Sequence, residues 1–318
     1  LEKIDGLREK CDAIVVPYIY ALPNPNYVWL TDCTATGTFF WDFDRPEVWT
    51  SDMEAPLVKK GWAKAALLKR ASDAEDKIKR KVVGIETSAT PAGYVARVKK
   101  VAKKVVDISD ALAKARLLKT AYEIRQIKEA CAVTREVFGS LDKRGTEAQI
   151  RARYDYEVLR RGLKPAFDTI VASGGNIATP HHIPTKKQAR KPLLLDAGVR
   201  YKNYNSDVTR TWGSRFEKLI GKVFEAVEPG LKPGAKCSDI DKQARRALGS
   251  RQKHFITALG HGIGVAVHEQ PWIASSSTDV LRPGMVFTIE PGIYVPGGIR
   301  VEHMYLMRED GAEKLTDW

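Results

Sequence analysis

Cysteine is scarce in this 318-residue chain: four residues, Cys11, Cys33, Cys131 and Cys237, lie far apart and form no CxxC pair. That fits a reducing, cytoplasmic compartment, with the cysteines as minor packing residues. Histidine is also rare, with six residues and none within 1–118. No apolar run approaches the roughly 18 residues needed to span a bilayer, so no membrane partner is expected. The opening Leu1-Glu2-Lys3-Ile4-Asp5 has neither the hydrophobic stretch nor the cleavage site of a secretory signal. There is no internal repeat, low-complexity segment or basic tail. The net charge of +13 divides as +4 over 1–118 and +9 over the remainder. A solvated lysine coat explains that spread better than a nucleic-acid surface.

What is present suits two domains. Apolar residues make up 43% of the chain, ordinary for a globular protein with a proper core. Residues 1–118 alternate short apolar runs with amphipathic stretches, an α/β pattern without a catalytic motif, suited to positioning or assembly. Strands are predicted at 12–16, 27–30, 39–41, 48–50 and 81–85, and helices over 54–71 and 92–103. The second region, 119–318, opens with a long amphipathic helix over 119–141, because Ile124, Ile127, Cys131, Thr134, Phe138 and Leu141 recur at steps of three and four. Thr146-Glu147-Ala148-Gln149 is a capping-box pattern, and the helix it starts stops at Gly162. Ser214-Arg215-Phe216-Glu217 opens another helix in the same way, and Ser238 to Leu248 a further one. Strands are predicted at 168–172, 193–197, 207–212, 285–290 and 299–306.

Asp196, Asp207, Glu290 and Glu302 sit in apolar, glycine-bounded segments, where a carboxylate is expensive to bury without a partner. The text between Asp196 and Asp207 suits a turn joining antiparallel strands, so both acids can face one side. Val295-Pro296-Gly297-Gly298 is a second turn, which places Glu290 and Glu302 on paired strands. His261 lies in Gly260-His261-Gly262-Ile263-Gly264, where close glycines let backbones approach, and His268-Glu269 follows. Converging carboxylates repel one another unless cations lie between them, so two divalent metals and hydrolysis are the simplest reading. Oxygen-rich ligation with one imidazole suits Mn²⁺, Co²⁺ or Fe²⁺, and admits Zn²⁺.

The ordered set, with its GHGIG, HE and IEPGIY signatures, resembles the pita-bread metallopeptidases: methionine aminopeptidase, aminopeptidase P and prolidase, with metal-free creatinase as a relative. The resemblance covers most of the chain. It implies an α/β N-terminal domain at 1–118 and an α+β pita-bread catalytic domain at 119–318. By resemblance, Asp196 is a bidentate ligand of one metal, Asp207 and Glu302 bridge both, and His261 and Glu290 complete the other site. Glu290 would also shuttle a proton. His268 resembles the histidine that donates to the tetrahedral intermediate. His181, in Pro180-His181-His182, would contact substrate, with His182 a bystander. Arg300 resembles an arginine that steadies a ligand carboxylate. His254 and His303 receive no role.

The N-terminal domain argues against methionine aminopeptidase, and the short Glu290–Glu302 gap resembles prolidase or aminopeptidase P. The reading settles on a dinuclear Xaa-Pro dipeptidase, cytoplasmic and homodimeric, acting on Xaa-Pro dipeptides or short proline peptides. Some prolidases carry an arginine shortly after the HE pair to hold a dipeptide carboxylate. Here that stretch is Gln270-Pro271-Trp272-Ile273-Ala274, so a Xaa-Pro aminopeptidase acting on longer peptides stays open. From other classes, metal-free creatinase-type chemistry and a non-catalytic pita-bread binding protein stay open too.

Overall fold

The run β1 (Ala13–Tyr18) is buried at every position, as a strand covered on both faces must be. It centres a mixed sheet in a computed structural model that describes residues 1–19, 22–58, 61–68 and 70–318. The chain divides into two units, Leu1–Arg116 and Leu117–Trp318. In the first, β1 pairs antiparallel with β2 (Gly37–Trp41), which pairs antiparallel with β3 (Pro46–Thr50). On its other side β1 runs parallel to β5 (Val82–Ile85), and β5 to β6 (Lys104–Asp107). With β4 (Lys64–Leu67) at the far edge, the sheet order among the described residues is β4-β3-β2-β1-β5-β6. Its core joins Val15, Phe40, Trp49 and Val83 to Ile78 and Val98 from two helices.

Two expectations fail in this unit. Residues 27–30 form a helix, α1 (Pro25–Thr31), and not a strand. Asn24 caps it, with Oδ1 accepting from Asn26 N at 2.8 Å and Tyr27 N at 3.3 Å, and Pro25 fits its first turn. The helix expected over 54–71 is instead α2 (Ala55–Val58) followed by β4. Gly61 lies between them, and a Cβ there would sit 2.1 Å from Thr31 O. The Ala-rich edge strand β4 follows from parallel pairing with β3, which overrides helix propensity. Lys59, Lys60 and Lys69 of that expected helix lie outside the described residues.

The second unit packs helices on antiparallel sheets. After α3 (Ala71–Ile78), α4 (Ala92–Val101) and α5 (Ser109–Leu117) come α6 (Ala121–Ser140) and α7 (Glu147–Leu159), each begun by a threonine capping box, Thr120 with Glu123 and Thr146 with Gln149. These cover a sheet of β8 (Ile170–Ser173), β9 (Leu193–Ala197) and β12 (Val208–Trp212), with Phe138, Ile150, Tyr154, Leu195 and Val208 in the core. Between them β7 (Lys164–Pro165), β10 (Val199–Tyr201) and β11 (Tyr204–Asn205) form a small sheet. Helices α8 (Glu217–Val227) and α9 (Cys237–Leu248) share a second core with Phe287 and Tyr305. That core includes residues of a sheet ordered β14 (Glu269–Ile273), β13 (Gly260–Gly262), β15 (Val286–Ile289), β18 (His303–Met307) and β19 (Ala312–Lys314). Each fully buried aliphatic or phenylalanine side chain contributes roughly 1.5–3 kcal/mol.

The strand expected at 299–306 is broken. Ile299–Arg300 pairs with Gly292–Ile293, while β18 pairs with β15. Glu302 falls in the gap, where its backbone N–H donates to Thr209 O at 3.0 Å. The other turn is tighter still: a Cβ on Gly198 would lie 1.8 Å from Ser206 O. Gly198→Ala is therefore expected to cost about 1–3 kcal/mol, read from the denaturant midpoint. An unchanged midpoint would show that this close approach does not hold the Asp196–Asp207 hairpin.

Candidate active site

The pairing of β9 with β12 sets Thr209 opposite Asp196, and Asp207 stands just before β12. The pairing of β15 with β18 sets Ile289 opposite His303, and Glu290 and Glu302 are the next residues beyond that last pair. His261 is the middle residue of β13, which is pressed between β14 and β15. Both neighbours must be glycine. A Cβ at Gly260 would meet Thr288 O at 2.0 Å, and one at Gly262 would meet Gln270 O at 2.1 Å.

The structure thus brings Asp196, Asp207, His261, Glu290 and Glu302 to one cavity of about 530 Å³, which His181, His268 and Arg300 also line. One ligand atom each from Asp207, His261 and Glu302 lies within 4.8 Å of the others. Asp196 and Glu290 line the same cavity without joining that trio. His261 Nε2 stands 3.4 Å from Glu290 Oε1 and 3.7 Å from Asp207 Oδ2. His261 Nδ1 donates to Gly262 O at 3.1 Å, so a neutral ring turns a bare Nε2 lone pair towards the acids. Asp196 Oδ1 is buried without a hydrogen-bond partner. Lone pairs facing lone pairs, and an orphaned buried carboxylate oxygen, are what a divalent cation would resolve. The donor set of carboxylates and one imidazole fits such an ion.

The electrostatics point the same way. Burial, then the charges of Glu302, Asp196 and Glu290, holds the Asp207 carboxyl well above the usual range. Burial, then Glu302, does the same to Glu290. Burial, then Asp196, pushes Glu302 up to about 7. Burial, then the neighbouring His268, pulls His261 down to about 3. Arg300 is the buried counterweight, 3% exposed. Its Nη2 donates to Asp196 Oδ2 at 2.5 Å and its Nε to Thr209 Oγ1 at 3.0 Å. Its Nη1 reaches Pro180 O at 3.2 Å and Tyr294 OH at 3.3 Å. Thr209 Oγ1 in turn donates a hydrogen bond to Glu302 Oε2 at 2.9 Å. One hydroxyl therefore links the arginine to the second carboxylate.

The His268 ring lies 4.2 Å from that of His261, centroid to centroid, and burial, then His181, lowers its pKa. Glu269, next in sequence, pairs with buried Lys119 at 2.7 Å. His182, read as a bystander, contacts Glu147 Oε2 at 3.0 Å. Glu147 is fully buried and also receives Ser173 N and Oγ, Asn176 Nδ2, and Thr185 N and Oγ1. It ties the segment carrying His181 to α7. Sequence reasoning missed Thr209, Glu147 and Lys119. A threonine in a strand and a glutamate in a capping box are unremarkable in one dimension. Only Lys119, ahead of a capped helix, stands beside an apolar pair, and nothing there signals burial.

The acids make metal-free stability depend on pH. The folded Glu302 value of about 7 lies above the ordinary glutamate value of about 4.3. The stability it contributes is complete below the ordinary value and is lost as pH rises through about 7. Chelated protein is expected to melt at a lower temperature at pH ~8 than at pH ~5, and added divalent cation to raise Tm more at the higher pH. Thermal melts with and without chelator check this. A metal-free Tm that does not fall across that window would remove the cluster as a source of repulsion.

Residues 125–309 match metallopeptidase family M24. The Xaa-Pro dipeptidase of Pyrococcus horikoshii is 30% identical, covering 99% of this chain and 97% of its own. That of Pyrococcus furiosus is 37% identical over 67% of each chain. The solved prolidase from Pyrococcus horikoshii has a TM-score of 0.89 at 30% identity, covering 99% of this chain and 97% of that one. The likeness spans nearly the whole chain and bears out the expected fold class, an α/β region followed by a pita-bread region. The protein belongs to metallopeptidase family M24, and its chemistry calls on divalent metal ions.

Proposed function

We propose that the chain is a proline dipeptidase that uses two divalent metals, Mn²⁺ or Co²⁺ in preference to Fe²⁺ or Zn²⁺, to hydrolyse the Xaa-Pro bond. The observation that supports this most is the approach of Asp207, His261 and Glu302 to within 4.8 Å in a chain alike over nearly its whole length to a Xaa-Pro dipeptidase. In this reading 1–118 is the positioning domain and 119–318 the catalytic one. Asp196, Asp207, His261, Glu290 and Glu302 are the ligands. A homodimer and a cytoplasmic location belong to the same proposal. Four free, buried cysteines suit the second, and sedimentation checks the first.

Bound metals would supply Lewis-acid polarisation and a more acidic water. The rest is the work of side chains. Arg300 fixes the rotamer of Asp196, and through Thr209 that of Glu302. Glu290, whose buried carboxyl favours its proton, would carry one to the departing proline nitrogen. His268, whose charged form burial disfavours, would donate an N–H to the oxyanion of the tetrahedral intermediate. His181, on the segment anchored by Glu147, would meet the substrate.

A Xaa-Pro aminopeptidase is the second reading, favoured by Trp272, which lines the cavity yet stays 43% exposed where longer peptides could run. Ala-Pro, Ala-Pro-Ala and a longer Xaa-Pro peptide are the deciding substrates. With Mn²⁺ or Co²⁺ added, Ala-Pro is expected to be cleaved fastest, and Asp207→Asn to lose at least about a hundredfold in kcat/KM, the scale of removing an electrostatic group from the transition state. Preference for the longer peptides supports the aminopeptidase. No cleavage of any of them by the parent protein would favour a binding protein on the same scaffold.

A further inference from the structure

A dipeptide differs from the start of a longer peptide in one respect: its proline ends in a free carboxylate. A cavity that selects dipeptides needs a fixed cation within one residue of the scissile bond, beside an apolar wall for the ring. Among the described residues, two arginines and no lysine line this cavity. Arg300 is buried and engaged in four protein hydrogen bonds beneath the acids. The other is Arg151, on α7 one turn after Glu147.

Arg151 is held as a binding guanidinium would be. Its Nε bonds Asp155 Oδ2 at 3.3 Å, and Asp155 is fixed in turn by Thr169 Oγ1 at 2.7 Å. Its Nη2 bonds Asp168 Oδ1 at 2.7 Å. The two acids differ: the Asp155 side chain is 25% exposed and that of Asp168 is 93% exposed. Asp155 orients the head, while Asp168 is a solvated carboxylate that another carboxylate can replace. Asp168 also stands two residues before Ile170, which pairs directly with Asp196. The apolar lining Phe167, Ile170, Pro180, Ile183 and Pro184 lies on the segments next to this arginine, matching a proline ring.

We infer that Arg151 receives the C-terminal carboxylate of the substrate's proline and so sets the preference for dipeptides. The inference rests on the dipeptidase reading above. A guanidinium keeps its charge at every pH at which the enzyme works, unlike the histidines in the same cavity. The carboxylate preference should therefore persist through the range in which an imidazole loses its proton.

The test compares Ala-Pro with Ala-Pro-amide on metal-loaded enzyme. Arg151→Gln is expected to raise KM for Ala-Pro about tenfold or more, the scale of a charge-assisted hydrogen bond, and to raise KM for the uncharged amide much less. Arg151→Lys should recover part of the loss, and Asp168→Asn should lower KM for Ala-Pro by removing the competitor. Unchanged Ala-Pro kinetics in Arg151→Gln, an equal change on both substrates, or a preference that vanishes as imidazole deprotonates would each overturn the assignment while leaving the dipeptidase reading intact. If the parent protein cleaves neither substrate, the dipeptidase reading itself falls.

Discussion

Four carboxylates meeting in a buried space is the constraint to which the catalytic unit answers. Two like charges about 4 Å apart repel by about 4 kcal/mol at the effective dielectric near a protein surface, and more when buried. Arg300 alone cannot offset several such pairs. The protein meets the excess in two ways: carboxyl groups favour their protons, and His261 offers a lone pair in place of another charge. Both devices leave the pocket prepared for cations. Its affinity and its instability when empty share one cause.

The geometry comes from two hairpins and one interrupted strand. Each hairpin delivers two acids: Asp207 lies two residues before Thr209, the partner of Asp196, and Glu290 and Glu302 lie just beyond the pair Ile289 and His303. The break at Glu302 lets that residue leave one sheet and bond to Thr209 of the other. Thr209 thereby couples the two acid pairs, and Arg300 reaches both from a single side chain. A distortion of either hairpin would be felt across the whole site.

Much of this was legible in one dimension. Asp196 and Asp207 taken alone read as residues flanking a turn; it was their order with His261, Glu290 and Glu302, in apolar, glycine-bounded runs, that made the set stand out. Other features lacked such a signature. Asn24-Pro25 does mark a helix start, but the apolar run behind it reads equally as a strand. The segment at 54–71 has helical composition, and only pairing with a distant strand makes part of it β. Glu147 and Thr209 act through partners far along the chain. Arg151 needs Asp155 and Asp168 to reveal what its head can do.

Glu147 has a consequence of its own. Burial pushes its carboxyl up, yet hydrogen bonds from Asn176, His182 and Thr185 outweigh that and hold it down at about 2. Its contribution is present above the ordinary glutamate value and fades only as pH falls towards about 2. Asp207, Glu290 and Glu302 titrate in the opposite sense. Acid loosens the wall behind His181, alkali loosens the empty floor, and the metal-free molecule is steadiest between them. Cations on that floor would offset the repulsion that grows as pH rises, while the loss at Glu147 on the acid side would be untouched by them.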